Sequence, residues 1–276
     1  MLPIFERTAI ALAWLSMAFL CLLIFHIDFG QKTCFIAMEN GEIIYEKGIC
    51  RIRKSPYCSF NYLLSLASYD MGILKDAHNP VLPYKSNYVA HFDSWRQDLD
   101  PQEWRKTSCV WYSQVLSKKM GLEALSRYVD MMDYGNHDLS GDFNKDNGLV
   151  QSWMESSLEI SAYEQVVFLD RMLKRDFPIS DHAYDMTTQI FYNKILKNDW
   201  KLYGKKGSGH RLSEDRKSKL ESQAGLFVGW IEKGERQILF VSFIEDGNQY
   251  YNEYVFNRAY QYALKSLGLI LQKDNA

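Results

Sequence analysis

The chain has 276 residues, 47% of them hydrophobic and 24% charged, a composition ordinary for a folded domain. Its 32 basic and 34 acidic residues are interleaved and leave a formal net charge of −2. That balance excludes the electrostatic footprint of a nucleic-acid binder and of a basic membrane-surface helix. The 18 tyrosines and 7 tryptophans argue for a substantial packed core rather than disorder.

Taken in chain order, the first predicted element is the run Thr8 to Ile27, TAIALAWLSMAFLCLLIFHI, preceded by Arg7 and followed by Asp28. Twenty helical residues span roughly 30 Å, the thickness of a bilayer core. A cleaved signal peptide and an uncleaved signal anchor both fit residues 1–29, and the length of the run with no Ala-x-Ala site favours the anchor. Cys21 follows Leu20, where a lipoprotein signal needs a small residue. Either reading exports residues 30–276, to the periplasm or to the periplasmic side of the inner membrane. Beyond the leader, Cys34, Cys50, Cys58 and Cys109 show no Cys-x-x-Cys spacing and no histidines at zinc-site distances. The six histidines are scattered and suggest no metal centre. A Cys34–Cys50 disulfide is open to an oxidising compartment.

Residues 34–46, CFIAMENGEIIYE, place Asn40-Gly41 between two apolar runs and predict a hairpin. Leu63 to Leu74 predicts a helix whose end is weakened by Asp70 and Gly72. Ser161 with Glu164 forms a capping box ahead of Val166, Val167, Leu169, Met172 and Leu173. A second hairpin spans Gly225 to Ile244 around the turn EKGER, and a last helix runs from Asn257 to Leu271, packing back on the sheet. Between the two β regions the chain reads as mostly helical. The prediction is an α/β (α+β) fold: an antiparallel sheet flanked by helices and built from both chain ends, with an inserted helical lobe over roughly residues 60–185. A cleft between the lobes is the natural place for a small-molecule site.

Short motifs then line up in one order: Ser108-Cys109-Val110 in KTSCVWYSQ, Tyr134-Gly135-Asn136 in DYGNHDLSGD, Trp153 in QSWMESSLEIS, and Lys205-Lys206-Gly207 in LYGKKGSGH. The segment AGLFVGWIEKGERQILFVSFIED follows. Each triplet alone is weak. Together, with SYDMGILKDAHNPVLPYK upstream, the chain resembles class D (oxacillinase-type) β-lactamases over about residues 32–272.

The resemblance implies a β-lactamase/transpeptidase-like fold and acyl transfer to a serine, followed by hydrolysis of the acyl-enzyme. That chemistry uses a Ser-x-x-Lys pair on one helix face. In the family carbon dioxide carbamylates the lysine, which becomes the general base, and a tryptophan steadies the carbamate. Here the motif reads Cys58-Ser59-Phe60-Asn61. Cys58 stands at the nucleophile position and Asn61 at the base position; a one-residue shift would make Ser59 the nucleophile and still leave no lysine. An amide is not basic near neutral pH, so no carbamate and no other cofactor is implied. A helix start and nearby Lys205 would both favour a Cys58 thiolate, although an inert, buried cysteine is the plainer reading.

By the same resemblance Ser108 is a proton shuttle or a capping serine, and Lys205 keeps an electrostatic role in the cleft. Trp153 is a carbamate partner or, without the lysine, core packing. Lys206 replaces the threonine that helps hold a substrate carboxylate and would crowd the site. Arg258, in FNRAYQYALKSLG, matches the carboxylate-binding arginine, or is an exposed helix residue. Val110, Gly207 and Ser208 would line the substrate cleft, with the N–H groups of Cys58 and Ser208 as oxyanion hole. Tyr134, Gly135 and Asn136 would preserve a loop. The expected function is a cell-envelope binder of penicillin-like, peptidoglycan-like or other acyl ligands with little or no β-lactam hydrolysis. The alternatives are an acyl-enzyme former using Cys58 or Ser59, and a module repurposed for a protein or peptidoglycan partner.

Overall fold

A computed structural model describes residues 32–213, 218–246 and 254–273. The apolar run at 8–27 lies outside the described residues, and among those described no helix is long and apolar enough to cross a membrane.

Six strands form one antiparallel sheet in the order β2-β1-β6-β5-β4-β3. They are β1 (Lys32–Glu39), β2 (Glu42–Gly48), β3 (Tyr192–Ile195), β4 (Lys201–Leu212), β5 (Lys219–Lys233) and β6 (Arg236–Glu245). The β1–β2 turn is the predicted Asn40-Gly41, with both residues at positive φ, the geometry that a two-residue hairpin demands. Gly234, at φ +60°, closes the β5–β6 hairpin. Both faces of the central strands are covered. Phe35, Ala37, Phe227 and Phe240 pack with Ala263 and Leu267 of the last helix, while Ile36, Met38, Val228 and Val241 face the other helices. Two buried faces explain why LFVGWI and ILFVSFI read as unbroken apolar runs.

Eight α-helices occur among the described residues: α1 (Asn61–Asp70), α2 (Pro101–Thr107), α3 (Val110–Met120), α4 (Leu122–Met131), α5 (Gly148–Gln151), α6 (Ala162–Leu173), α7 (Asp181–Phe191) and α8 (Val255–Lys273). Helix α1 is buried from Asn61 to Tyr69, with the polar Asn61, Ser65 and Ser68 among its buried residues, and packs on α7, α3 and α4. It starts two residues before the expected Leu63. It stops at Asp70 because Gly72 turns left-handed (φ +68°) and the next amides fold back on Ser68. The capping box at Ser161 and Glu164 opens α6 with both reciprocal hydrogen bonds. Cys34 and Cys50 are joined in a disulfide, their Cα atoms 5.1 Å apart, which pins the start of β1 to the segment after β2.

Strands β3 and β4 were not expected in a stretch that reads as polar and glycine-rich. The glycines of β4 have a steric reason. A Cβ at Gly204 would lie 2.6 Å from the Phe227 ring, and one at Gly209 would strike Tyr57 and Glu155. Glycine in a strand marks close approach of other groups, here of the elements that build the site.

Candidate active site

The turn Tyr57–Phe60 delivers Cys58 to the sheet. Its backbone is anchored by Tyr57 N–H donating to Trp153 O (3.0 Å) and by the Ser59 hydroxyl donating to Pro56 O (2.7 Å). The Phe60 ring stacks on Trp153 with centroids 5.1 Å apart. Strand β4 then passes so close that a Cβ at Gly207 would sit 3.1 Å from Cys58 N. Gly207 is therefore the residue that lets the Cys58 turn and the strand abut, with the N–H of Cys58 beside the strand carrying Ser208.

Adjacent side chains on a strand point to opposite faces. Lys205 turns toward the helices, is 2% exposed, and donates to the Ser108 hydroxyl and to Lys206 O (2.8 Å). Lys206 turns the other way, to α8, where its ammonium lies 3.2 Å from Asn257 Oδ1 and 4.5 Å from the Tyr260 ring centroid. It does not crowd Cys58, contrary to the expectation. Ser108 ends α2 in left-handed backbone (φ +59°) and touches both partners: its hydroxyl meets Lys205, and its carbonyl is 3.9 Å from Cys58 Sγ. Val110 follows as the first residue of α3, half-buried against the core.

Electrostatics set the protonation of this cluster. Burial pushes Lys205 down to about 8, opposed by the neighbouring Cys58 and assisted by the cations Arg105 and Lys206. Burial likewise raises the Cys58 thiol, and Lys205 offsets only part of that rise. Burial thus works against the thiolate that a helix start and Lys205 would favour: the site is too dry for the charge. Arg105, buried and donating to Phe191 O (2.7 Å) and Tyr192 O (2.8 Å), is a second cation near the site that sequence reading missed.

Asn61 is 1% exposed at the head of α1. Its Oδ1 accepts from the Ser113 hydroxyl (3.2 Å), which in turn accepts from Trp104 Nε1 (2.9 Å), while its Nδ2 has no hydrogen-bond partner. No titratable base stands at this position. Ser59 is buried and its hydroxyl is engaged with Pro56 O and Tyr134, so it is not brought to Lys205. Trp153 is 1% exposed and packs on Phe60. Tyr134 packs edge-on to Phe60, Gly135 is left-handed against Glu159 O, and the Asn136 side chain bonds Ser157 O, Asp138 N and Glu159 N. These three residues hold a loop in place. Arg258 is neither an exposed helix residue nor open for a ligand carboxylate as placed, because it pairs with Asp246, and both side chains are mostly buried.

The comparisons with known proteins agree with this geometry. The chain matches the penicillin binding protein transpeptidase domain family over residues 46–264. It is 38% identical to beta-lactamase OXA-9 of Klebsiella pneumoniae over 202 residues, covering 73% of this chain and 74% of that protein. It is 33% identical to beta-lactamase OXA-1 of Escherichia coli, covering 77% and 76%. The crystal structure of the OXA-427 class D β-lactamase superposes with a TM-score of 0.82 at 32% identity, covering 87% of this chain and 99% of that one. A sheet built from both chain ends, the Cys58 turn against a Lys-x-Gly strand and these identities together establish that the chain belongs to the class D β-lactamase family.

Proposed function

We propose that this chain is an exported class D β-lactamase relative that binds penicillin-like or other acyl ligands beside Cys58 and hydrolyses β-lactams slowly or not at all. The observation that carries the reading is Asn61. A neutral amide, tied to Ser113 and buried, occupies the position from which water would have to be activated. General-base assistance is worth ~10²–10⁴ in rate, and its loss falls on deacylation. The raised Cys58 thiol slows attack as well. Export is supported by the apolar run at 8–27 and by the Cys34–Cys50 disulfide, a bond that oxidising compartments maintain.

A second reading has its own observation. Lys205, with a pKa of about 8, is neutral in roughly a tenth of molecules at pH 7. Lys205 and Cys58 interact electrostatically, so the neutral amine is a nearby acceptor for the Cys58 proton and a slow thioester on Cys58 is chemically accessible. Purified protein incubated with a chromogenic cephalosporin and bicarbonate, followed by intact mass after penicillin, decides between them. No turnover and no adduct fits a binder, an adduct without turnover fits acyl-enzyme formation, and clear turnover overturns both.

A further inference from the structure

Strand β4 has one edge paired with β5; past Gly204 its other edge faces the helices. That edge is covered residue by residue. Asn193 Nδ2 donates to Gly204 O (2.9 Å), Lys205 Nζ to Lys206 O (2.8 Å) and the Tyr57 hydroxyl to His210 O (3.0 Å), while Glu155 Oε1 accepts from His210 N. In an antiparallel strand the N–H and C=O of one residue share an edge, and alternate residues share it too. Ser208 therefore presents its N–H and C=O on this edge, between covered neighbours and beside Cys58.

The covers at His210 come from two separate loops. Tyr57 and Glu155 both hold left-handed backbone, φ +48° and +56°, although neither is glycine, asparagine or aspartate. Strained residues of this kind gather at functional sites. The Tyr57 ring and the Glu155 carboxylate lie on Gly209 and fill the space a Cβ would take. Tyr57 is 3% and Glu155 7% exposed, and Lys219 of β5 holds the second Glu155 oxygen. Two unusual backbone conformations thus converge to plug one strand edge, a surface that otherwise recruits extended chains.

We propose that Tyr57 and Glu155 are specificity-determining residues that restrict the cleft beside Cys58 to acyl ligands carrying a short chain on the reactive carbonyl. This rests on the reading that Cys58 lies in an acyl-ligand cleft. A ligand with its carbonyl carbon at Cys58 Sγ and its oxygen between the Cys58 and Ser208 N–H groups runs alongside β4. One backbone-like amide pairs at Ser208. A longer extended chain, advancing about 3.3 Å per residue, meets the Tyr57 ring and finds both polar groups of His210 taken.

The test is alkylation of Cys58 in the full-length protein by a small reagent, iodoacetamide, and a bulky one, fluorescein maleimide, with the site assigned by peptide mass. Tyr57→Asn and Glu155→Gly remove each cover with residues that tolerate left-handed backbone; Tyr57→Phe keeps the ring and removes only the bond to His210. Tyr57→Asn and Glu155→Gly should speed the bulky reagent by about tenfold or more and iodoacetamide by less than about threefold, the scale on which a pocket discriminates size. Tyr57→Phe should give a smaller gain for the bulky reagent alone. Equal acceleration of both reagents, or of neither, overturns the proposal. Melting curves identify any variant that has unfolded, and the remaining variants then decide the question. Alkylation needs no acyl ligand, so failure here is distinct from failure to form a penicillin adduct.

Discussion

Lys205 donates its buried ammonium to the Ser108 hydroxyl, tying strand β4 to the left-handed residue between α2 and α3. Burial is the main cause of its depressed pKa, about 8 against 10.5 for the ordinary side chain. Between those values the unfolded chain binds more protons than the folded one, so the contribution of Lys205 to stability improves as pH rises from 8 toward 10.5. Lys205→Met should therefore be more stable than the parent at pH 7 by ~1–4 kcal/mol. Urea denaturation at pH 7, 8.5 and 10 should show that advantage shrinking. Taking the difference between the two proteins cancels the opposing effect of Cys109 and the tyrosines, whose raised values act on both alike, while Cys58, which loses its neighbouring cation, shifts in the variant alone. An advantage independent of pH would mean that Lys205 carries no proton penalty.

The Cys58 thiol should behave as a buried group. Its raised pKa predicts that alkylation by iodoacetamide is slow at pH 7 and climbs about tenfold per pH unit up to pH 9. Lys205→Met removes the one charge that eases ionisation, so the rate should fall further at each pH. A flat profile between pH 7 and 9 would mean that the thiolate is already formed and that the Lys205 charge outweighs burial.

What the sequence disclosed follows physical range. The Asn40-Gly41 turn and the Ser161–Glu164 box were legible because each is fixed by neighbours within a few residues. Cys58, Ser108 and Lys205 were legible through the family resemblance, and the structure brings them into contact. Lys206 was misplaced for want of a strand: once β4 is recognised, simple alternation sends it to α8. The glycines that hid β4 are demanded by groups far away in sequence, Phe227, Cys58, Tyr57 and Glu155. Glu155 and the Arg258–Asp246 pair have no local signal at all, since each is defined by contacts across the fold. Tyr57 had one: a bulky ring immediately before the nucleophile position.

Asn61→Lys should fold less stably at pH 7, because it adds a cation to a buried site that already holds Lys205 and Arg105. The expected loss is ~3 kcal/mol or more, the scale of an uncompensated buried charge. Bicarbonate should recover part of that loss in the variant, through a carbamate that turns the new cation into an anion beside Lys205. Thermal melting with and without bicarbonate checks this without reference to activity. An equal response in the parent, which has an amide at that position, would rule out a site-specific effect.

The Cys34–Cys50 bond closes a loop between residues 16 apart in sequence. Loop-closure entropy for that length corresponds to ~3 kcal/mol. Reduction, or Cys34→Ser with Cys50→Ser, should lower stability by about that amount in urea and leave alkylation of Cys58 unchanged, since β1 and β2 lie away from the Cys58 turn. A coupled change at Cys58 would show that the sheet edge and the site unfold as one unit.

Trp153 supplies the last test, because packing and ligand holding predict different losses. The indole is almost fully buried, its ring stacks on Phe60, and the Trp153 carbonyl accepts from the Tyr57 amide that sets the Cys58 turn. On the proposed reading, Asn61 leaves no carbamate for it to steady. Trp153→Ala should then cost ~3–5 kcal/mol, as deletion of a large core aromatic does. It should also speed iodoacetamide attack on Cys58, because Phe60 loses its support next to the turn. Trp153→Phe, which keeps a ring against Phe60, should recover most of the stability and restore slow alkylation. A loss below about 1 kcal/mol for the alanine variant, smaller than core deletions produce, would argue that Trp153 is retained for a ligand rather than for the core.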